Sequence, residues 1–108
     1  MTWDISYTED ARQDLQNIFD YICDILLEPG TAETLTYNIM DAVDSLDQMP
    51  FRHRLYEKEP WLAQGLRVLP AGNYLVFYLP IEEENVVAII RIMYGGRDIE
   101  KRLGEKPE

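Results

Sequence analysis

The chain has 108 residues, 46% of them apolar, and a formal net charge of −10, which fits one domain over 1–108 with one modest core and a short tail at 98–108. No run of eighteen apolar residues occurs and the opening MTWDISYTED is too polar for a secretory leader, so no membrane association is expected and the cytoplasm is the expected location. One cysteine (Cys23) and one histidine (His53) leave no intramolecular disulfide and no Cys/His zinc site, and neither a metal nor a cofactor is expected.

Taken in order, Thr2–Tyr7 alternates apolar Trp3, Ile5 and Tyr7 with polar neighbours, the pattern of a half-buried strand. Thr8 is a suitable N-cap, and Glu9 and Asp10 suit the first turn of a helix. Ala11, Leu15, Ile18, Phe19, Ile22, Ile25 and Leu26 keep helical spacing to Leu27, where Glu28-Pro29-Gly30 predicts a stop. Thr31 then predicts the cap of a second helix, with Ala32, Leu35, Ile39, Ala42, Val43 and Leu46 on its apolar side and an end near Met49-Pro50. Two such helices joined by a short loop form an antiparallel hairpin. An irregular basic-aromatic stretch, Phe51-Arg52-His53-Arg54-Leu55-Tyr56, follows.

From Gly65 to Arg97 the chain reads GLRVLPAGNYLVFYLPIEEENVVAIIRIMYGGR, three β-branched and aromatic runs separated by Gly, Pro and Asn. Strands are predicted at Leu66–Leu69, Tyr74–Leu79 and Val86–Tyr94, joined as an antiparallel meander. The third run is apolar at every position from Val86 to Ile90, so it is the inner strand. The order β-α-α-β-β-β defines an α+β domain, a helical hairpin packed on one face of a small, twisted, mainly antiparallel sheet.

Charge is unevenly divided. Residues 1–48 hold eleven acids and one base, Arg12, giving −10, whereas residues 49–108 hold nine acids and nine bases, giving zero. The acidic half reads as a solvated helix face, and the bases lie in or beside the sheet-forming half.

The strand–helix–helix opening, Met49-Pro50 with its basic loop, GLRVLPAGNYLVFY and RIMYGGRDIEKRL together resemble the RelE/ParE family of bacterial toxins from toxin–antitoxin modules. The resemblance covers nearly the whole chain and is most specific at Gly65–Tyr78 and Arg91–Asp98. It implies a toxin held inactive by a cognate antitoxin protein. The family divides between ribosome-dependent mRNA endonucleases, whose partners are the ribosome and mRNA, and inhibitors of DNA gyrase. A degenerate member that keeps only antitoxin binding is a further alternative.

The endonuclease reaction uses no metal: the RNA 2′-hydroxyl attacks the neighbouring phosphate. It needs a base, a cation on the developing phosphorane and an acid for the leaving oxygen. Arginine suits the second task because its planar fork pairs with phosphate and stays charged. By the resemblance, the catalytic candidates are Arg67, Tyr94 and Arg97, and the substrate-binding candidates are Arg52, His53, Arg54 and Arg91. Each has a plainer reading: Arg67 as a surface strand residue, Tyr94 as an amphipathic strand end, Arg91 as a structural ion-pair partner. Departures from the nuclease pattern stand beside these candidates. The chain has three lysines, none in the meander, and no histidine at the last strand's end, whereas a gyrase inhibitor needs only a binding surface. The leading expectation is the mRNA endonuclease, with the gyrase inhibitor as its alternative.

Overall fold

The computed structural model describes residues 2–96 and 99–105. Its elements are β1 (Asp4–Tyr7), α1 (Glu9–Asp20), α2 (Pro29–Asp44), α3 (Trp61–Gln64), β2 (Arg67–Ala71), β3 (Tyr74–Ile81), β4 (Val86–Tyr94) and α4 (Ile99–Leu103). One sheet runs in the order β1-β4-β3-β2, with β1 parallel to β4 and the other pairs antiparallel. The α+β architecture is therefore the expected one, and β4 lies inside the sheet as its unbroken apolar run requires.

The helical hairpin differs from expectation at its turn. After Asp20 the helix widens into a π-turn over Tyr21–Ile25, and Leu27 then takes a left-handed conformation (φ 55°) that reverses the chain. Pro29, expected in the stop signal, is instead the first residue of α2, a position where proline's fixed φ and missing N–H cost nothing. Thr31 thus lies inside the helix.

Each sheet face carries its own cluster. Val76, Tyr78, Val87, Ile89 and Ile92 meet Ala11, Ile39, Val43 and Leu46 of the hairpin. On the far face Leu66, Val68, Phe77 and Met93 are covered by Tyr56, Trp61 and, from α4, Ile99 and Leu103. The second face is therefore apolar and roofed by α3 and α4 rather than bare and basic.

Thr8 ties β1, α1 and β4 together. Its backbone N–H donates to the Ile89 carbonyl at 3.1 Å. Its hydroxyl donates to the same oxygen at 2.8 Å and accepts from the Ala11 N–H at 3.1 Å, which is the N-cap bond. β1 pairs with β4 only as far as Ile89. Beyond that point the β1 side of β4 has no strand beside it, and Asp14 of α1 takes its place by accepting the Ile92 N–H at 2.9 Å.

A bulge sets up the rest. Phe77 faces Arg91 while Tyr78 faces Ile89, so Ile90 is an extra residue on β4. The insertion reverses the alternation: Ile92 joins the hairpin-side cluster and Met93 the far one. Arg91 sits at the reversal, buried, with Nε 2.6 Å and Nη2 2.9 Å from the two oxygens of Asp14. Its Nη1 donates to the carbonyls of Arg102 (2.8 Å) and Glu105 (2.6 Å), the end of α4. One guanidinium thus joins the front helix, the inner strand and the rear helix, and the cation lies where a helix C-terminus favours it.

Removing one partner of such a pair leaves a buried charge uncompensated. Asp14→Asn is expected to lower the unfolding free energy by about 3–5 kcal/mol, read by urea denaturation; a loss within experimental error would contradict the account.

Candidate functional site

The basic loop after α2 is built by capping. A single 3₁₀ turn over Ser45–Asp47 ends the helix, and Met49 then adopts a left-handed conformation (φ 50°, ψ 57°). Arg52 folds back over the exposed carbonyls: its Nη1 donates to those of Ser45 (3.2 Å), Gln48 and Met49, and its Nη2 to the Ser45 hydroxyl (3.0 Å). A cation at a helix C-terminus satisfies orphan acceptors and complements the dipole. Arg52, expected as a substrate contact, is therefore a capping residue first.

Arg67, the leading catalytic candidate, begins β2 on the hairpin side, directly opposite Tyr78. Its Nη1 donates to the carbonyls of Phe51 (3.1 Å) and His53 (2.6 Å), and its guanidinium lies 5.1 Å from the centre of the Phe51 ring. Phe51 in turn meets the edge of Trp3 at 5.7 Å. The Tyr78 hydroxyl donates to the Pro50 carbonyl at 2.7 Å. Burial pushes the Tyr78 phenol up to about 12, against the pull of the Arg67 and Arg52 cations. Arg67 and Tyr78 thus pin the loop over residues 50–53 to the sheet.

The loop also covers the outer edge of β2. The Tyr56 N–H donates to Leu66 O (2.8 Å), and the Val68 N–H donates to Arg54 O (3.1 Å). Arg54 is exposed. Burial first, and the Arg52 cation second, hold the His53 imidazole below its usual value of 6.5. Its Nε2 is buried with no hydrogen-bond partner among the described residues, and the ring stands edge-on to Tyr78 at 6.3 Å.

The remaining candidates lie elsewhere. Tyr94 ends β4, exposed, with its ring 5.8 Å from that of its cross-strand partner Tyr74. A side chain at Gly96 would bring a Cβ within 2.7 Å of the Tyr94 ring, so glycine is what lets that ring lie down. Tyr94's partner Tyr74 and Arg67's partner Tyr78 are four residue steps apart on β3, about 14 Å along the sheet, with about 10 Å more across two strand spacings. Arg67 and Tyr94 are therefore not brought together. Arg91 is enclosed by Asp14 and α4, away from any dissolved substrate. Arg97 lies outside the described residues.

Arg52, His53 and Arg67 do converge, around Tyr78 and Phe51, whereas the Arg54 cation lies beside the Tyr56 phenol, towards the far cluster. Phe51, Trp3 and Tyr78 were not singled out from sequence as parts of this corner, and neither was Asp14 as the partner of Arg91. Contacts between residues 14 and 91, or 50 and 78, leave no local spacing signal. Among the described residues no group of three or more His, Cys, Asp or Glu side chains is arranged to hold a metal ion.

Because the folded His53 pKa is depressed, its contribution to stability is present above the unfolded value near 6.5 and is lost as pH falls through the folded one. His53→Gln, which cannot titrate, is expected to flatten the fall in Tm between neutral pH and about pH 5; parallel wild-type and variant profiles would refute this.

Comparison with known proteins places these features. The family model described as the ParE toxin of the type II toxin–antitoxin system parDE matches residues 5–99. No curated protein sequence matches the chain. The chromosomal ParDE toxin–antitoxin system of P. aeruginosa contains a chain 21% identical, with a TM-score of 0.74 over 88% of this chain and 98% of that one. The toxin–antitoxin complex RelBE2 of Mycobacterium tuberculosis has a similar chain at 21% identity and a TM-score of 0.61, over 87% of this chain and 99% of that one. An arginine double mutant of E. coli RelE in the free state is similar at 14% identity and a TM-score of 0.61, over 99% of this chain and 95% of that one. The three structures share the fold, and the family model spans nearly all of the sequence: the chain belongs to the ParE toxin family of type II toxin–antitoxin systems.

Proposed function

We propose that this toxin arrests growth by binding DNA gyrase, without catalysing a reaction, and that a cognate antitoxin neutralises it. The observation that carries the reading is the dispersal of the candidate catalytic set. Cleaving RNA through its 2′-hydroxyl needs a base, an acid and a phosphate-binding cation around one phosphate. Here Arg67 is spent on two loop carbonyls, Arg91 is buried against Asp14, and Tyr94 ends a different strand about 14 Å further along the sheet. A toxin that acts by occupying a protein surface needs no such convergence, and the match to the ParE model, rather than to the fold alone, supports that branch.

The antitoxin part of the proposal rests on family membership and on neighbours that are themselves toxin–antitoxin systems. The mRNA endonuclease, favoured by the sequence, remains the competing reading, with the exposed cation of Arg54 its best-placed contact for RNA.

The two differ in what fails first in a cell expressing the toxin alone. The gyrase reading expects loss of plasmid negative supercoiling and DNA damage while transcripts stay full length, checked by plasmid topology and transcript mapping on the same culture. Transcripts cut within codons, with supercoiling intact, would transfer the protein to the endonuclease branch. Growth without arrest would identify a degenerate member.

A further inference from the structure

We infer that the corner formed by Met49, Phe51, Arg52 and Arg67 is the surface with which this toxin grips its target, and that the target presents acidic side chains around an apolar recess. The inference rests on the proposed non-catalytic mode of action and adds to it the place and the chemistry of contact.

Three observations converge on this corner. The first is Met49. Its left-handed conformation just past a helix end is one that glycine or asparagine adopts at least cost, yet the position holds a methionine that is 73% exposed. The backbone there serves the loop, with the Met49 carbonyl accepting from the Arg52 N–H at 3.1 Å, while the side chain projects into solvent. The second is Phe51, 44% exposed although fixed between the Trp3 edge and the Arg67 guanidinium. A rigid, exposed aromatic loses little freedom on binding, and Met, Phe and Arg are residue types enriched in interfaces.

The third is charge. Arg52 and Arg67 spend their donors on neutral oxygens, and the one salt bridge among the described residues belongs to Arg91 and Asp14. Neither has a salt-bridge partner among the described residues, on a molecule whose first 48 residues carry −10. An acidic partner surface is repelled by the hairpin and attracted here, which orients the encounter. Charge complementarity thus selects the partner, and the Met49–Phe51 prominence supplies the anchor.

The test uses the full chain with Met49→Gly, Phe51→Ala and Met49→Asp, the last of which places an anion in the corner at a left-handed position that aspartate tolerates. Growth arrest on induction is the first readout, because it does not presuppose the target. Each variant is expected to need about tenfold more toxin for the same arrest, with Tm kept for Met49→Asp and kept or raised for Met49→Gly. Inhibition of purified gyrase supercoiling is the second, with the same loss expected and with wild-type inhibition weakening as salt is raised.

Arrest by all three folded variants at the wild-type dose would overturn the inference. Equal loss in Leu27→Gly would also overturn it, by tracing the effect to relief of backbone strain; Leu27 shares the left-handed conformation and is 76% exposed, at the other end of α2. Cleavage of mRNA by the wild type, lost in these variants, would make the partner a nucleic acid and overturn the acidic-protein assignment. Arrest that depends on the corner while purified gyrase is untouched would retire gyrase and leave the surface standing. A harmless wild type would overturn both.

Discussion

The ion pair between Asp14 and Arg91 is the constraint on which the other layers depend. β1 is short and stops alongside Ile89, so the upper half of β4 would otherwise present unpaired backbone groups beside α1. Asp14 supplies the missing acceptor for Ile92, and Arg91 compensates the charge that this places in the interior. The bulge at Ile90 reverses the alternation, so that Arg91, opposite Phe77, and Met93 take the face of the rear cluster that α4 covers, while the Arg91 guanidinium still reaches Asp14. Burying the pair costs desolvation, which four further hydrogen-bonding groups around it offset: the second carboxylate oxygen, the Ile92 amide and two carbonyls of the C-terminal segment.

The same economy governs the other arginines. Arg52 closes the end of α2, and Arg67 holds the following loop against β2, so both are occupied in shaping the molecule. What the fold spends in donors it does not lose in charge, because the acceptors are neutral. The result is a corner that is cationic, rigid and edged with exposed apolar side chains, on a protein that is otherwise acidic. Such a surface is suited to recognition. The RelE/ParE fold hosts more than one activity, and it is the site rather than the fold that distinguishes them.

The meander was legible because each strand is β-branched and each boundary carries Gly, Pro or Asn, and β4 declared its inner position through its unbroken apolar run. The hairpin was legible from its 3.6-residue periodicity, yet Pro29-Gly30 was read as a stop when Pro29 starts α2; the same residues serve either role, and only the π-turn before them decides. The bulge at Ile90 has no mark in a run of Val, Ala and Ile, and so the destination of Arg91 was one of two open readings. The choice between them turned on Asp14, 77 residues away and indistinguishable in sequence from the other acids of the first helix. Residues 61–64 were not expected to be helical, since a single turn is too short to show periodicity.

That Arg91 belongs to the architecture and not to the site is the claim most open to direct measurement. A double-mutant cycle on urea unfolding, with Asp14→Ala, Arg91→Ala and the pair together, measures it. The account predicts that the double variant loses less than the sum of the two single losses by at least about 2 kcal/mol. Additive losses would mean that the two side chains act independently, and would return Arg91 to the list of residues awaiting a function.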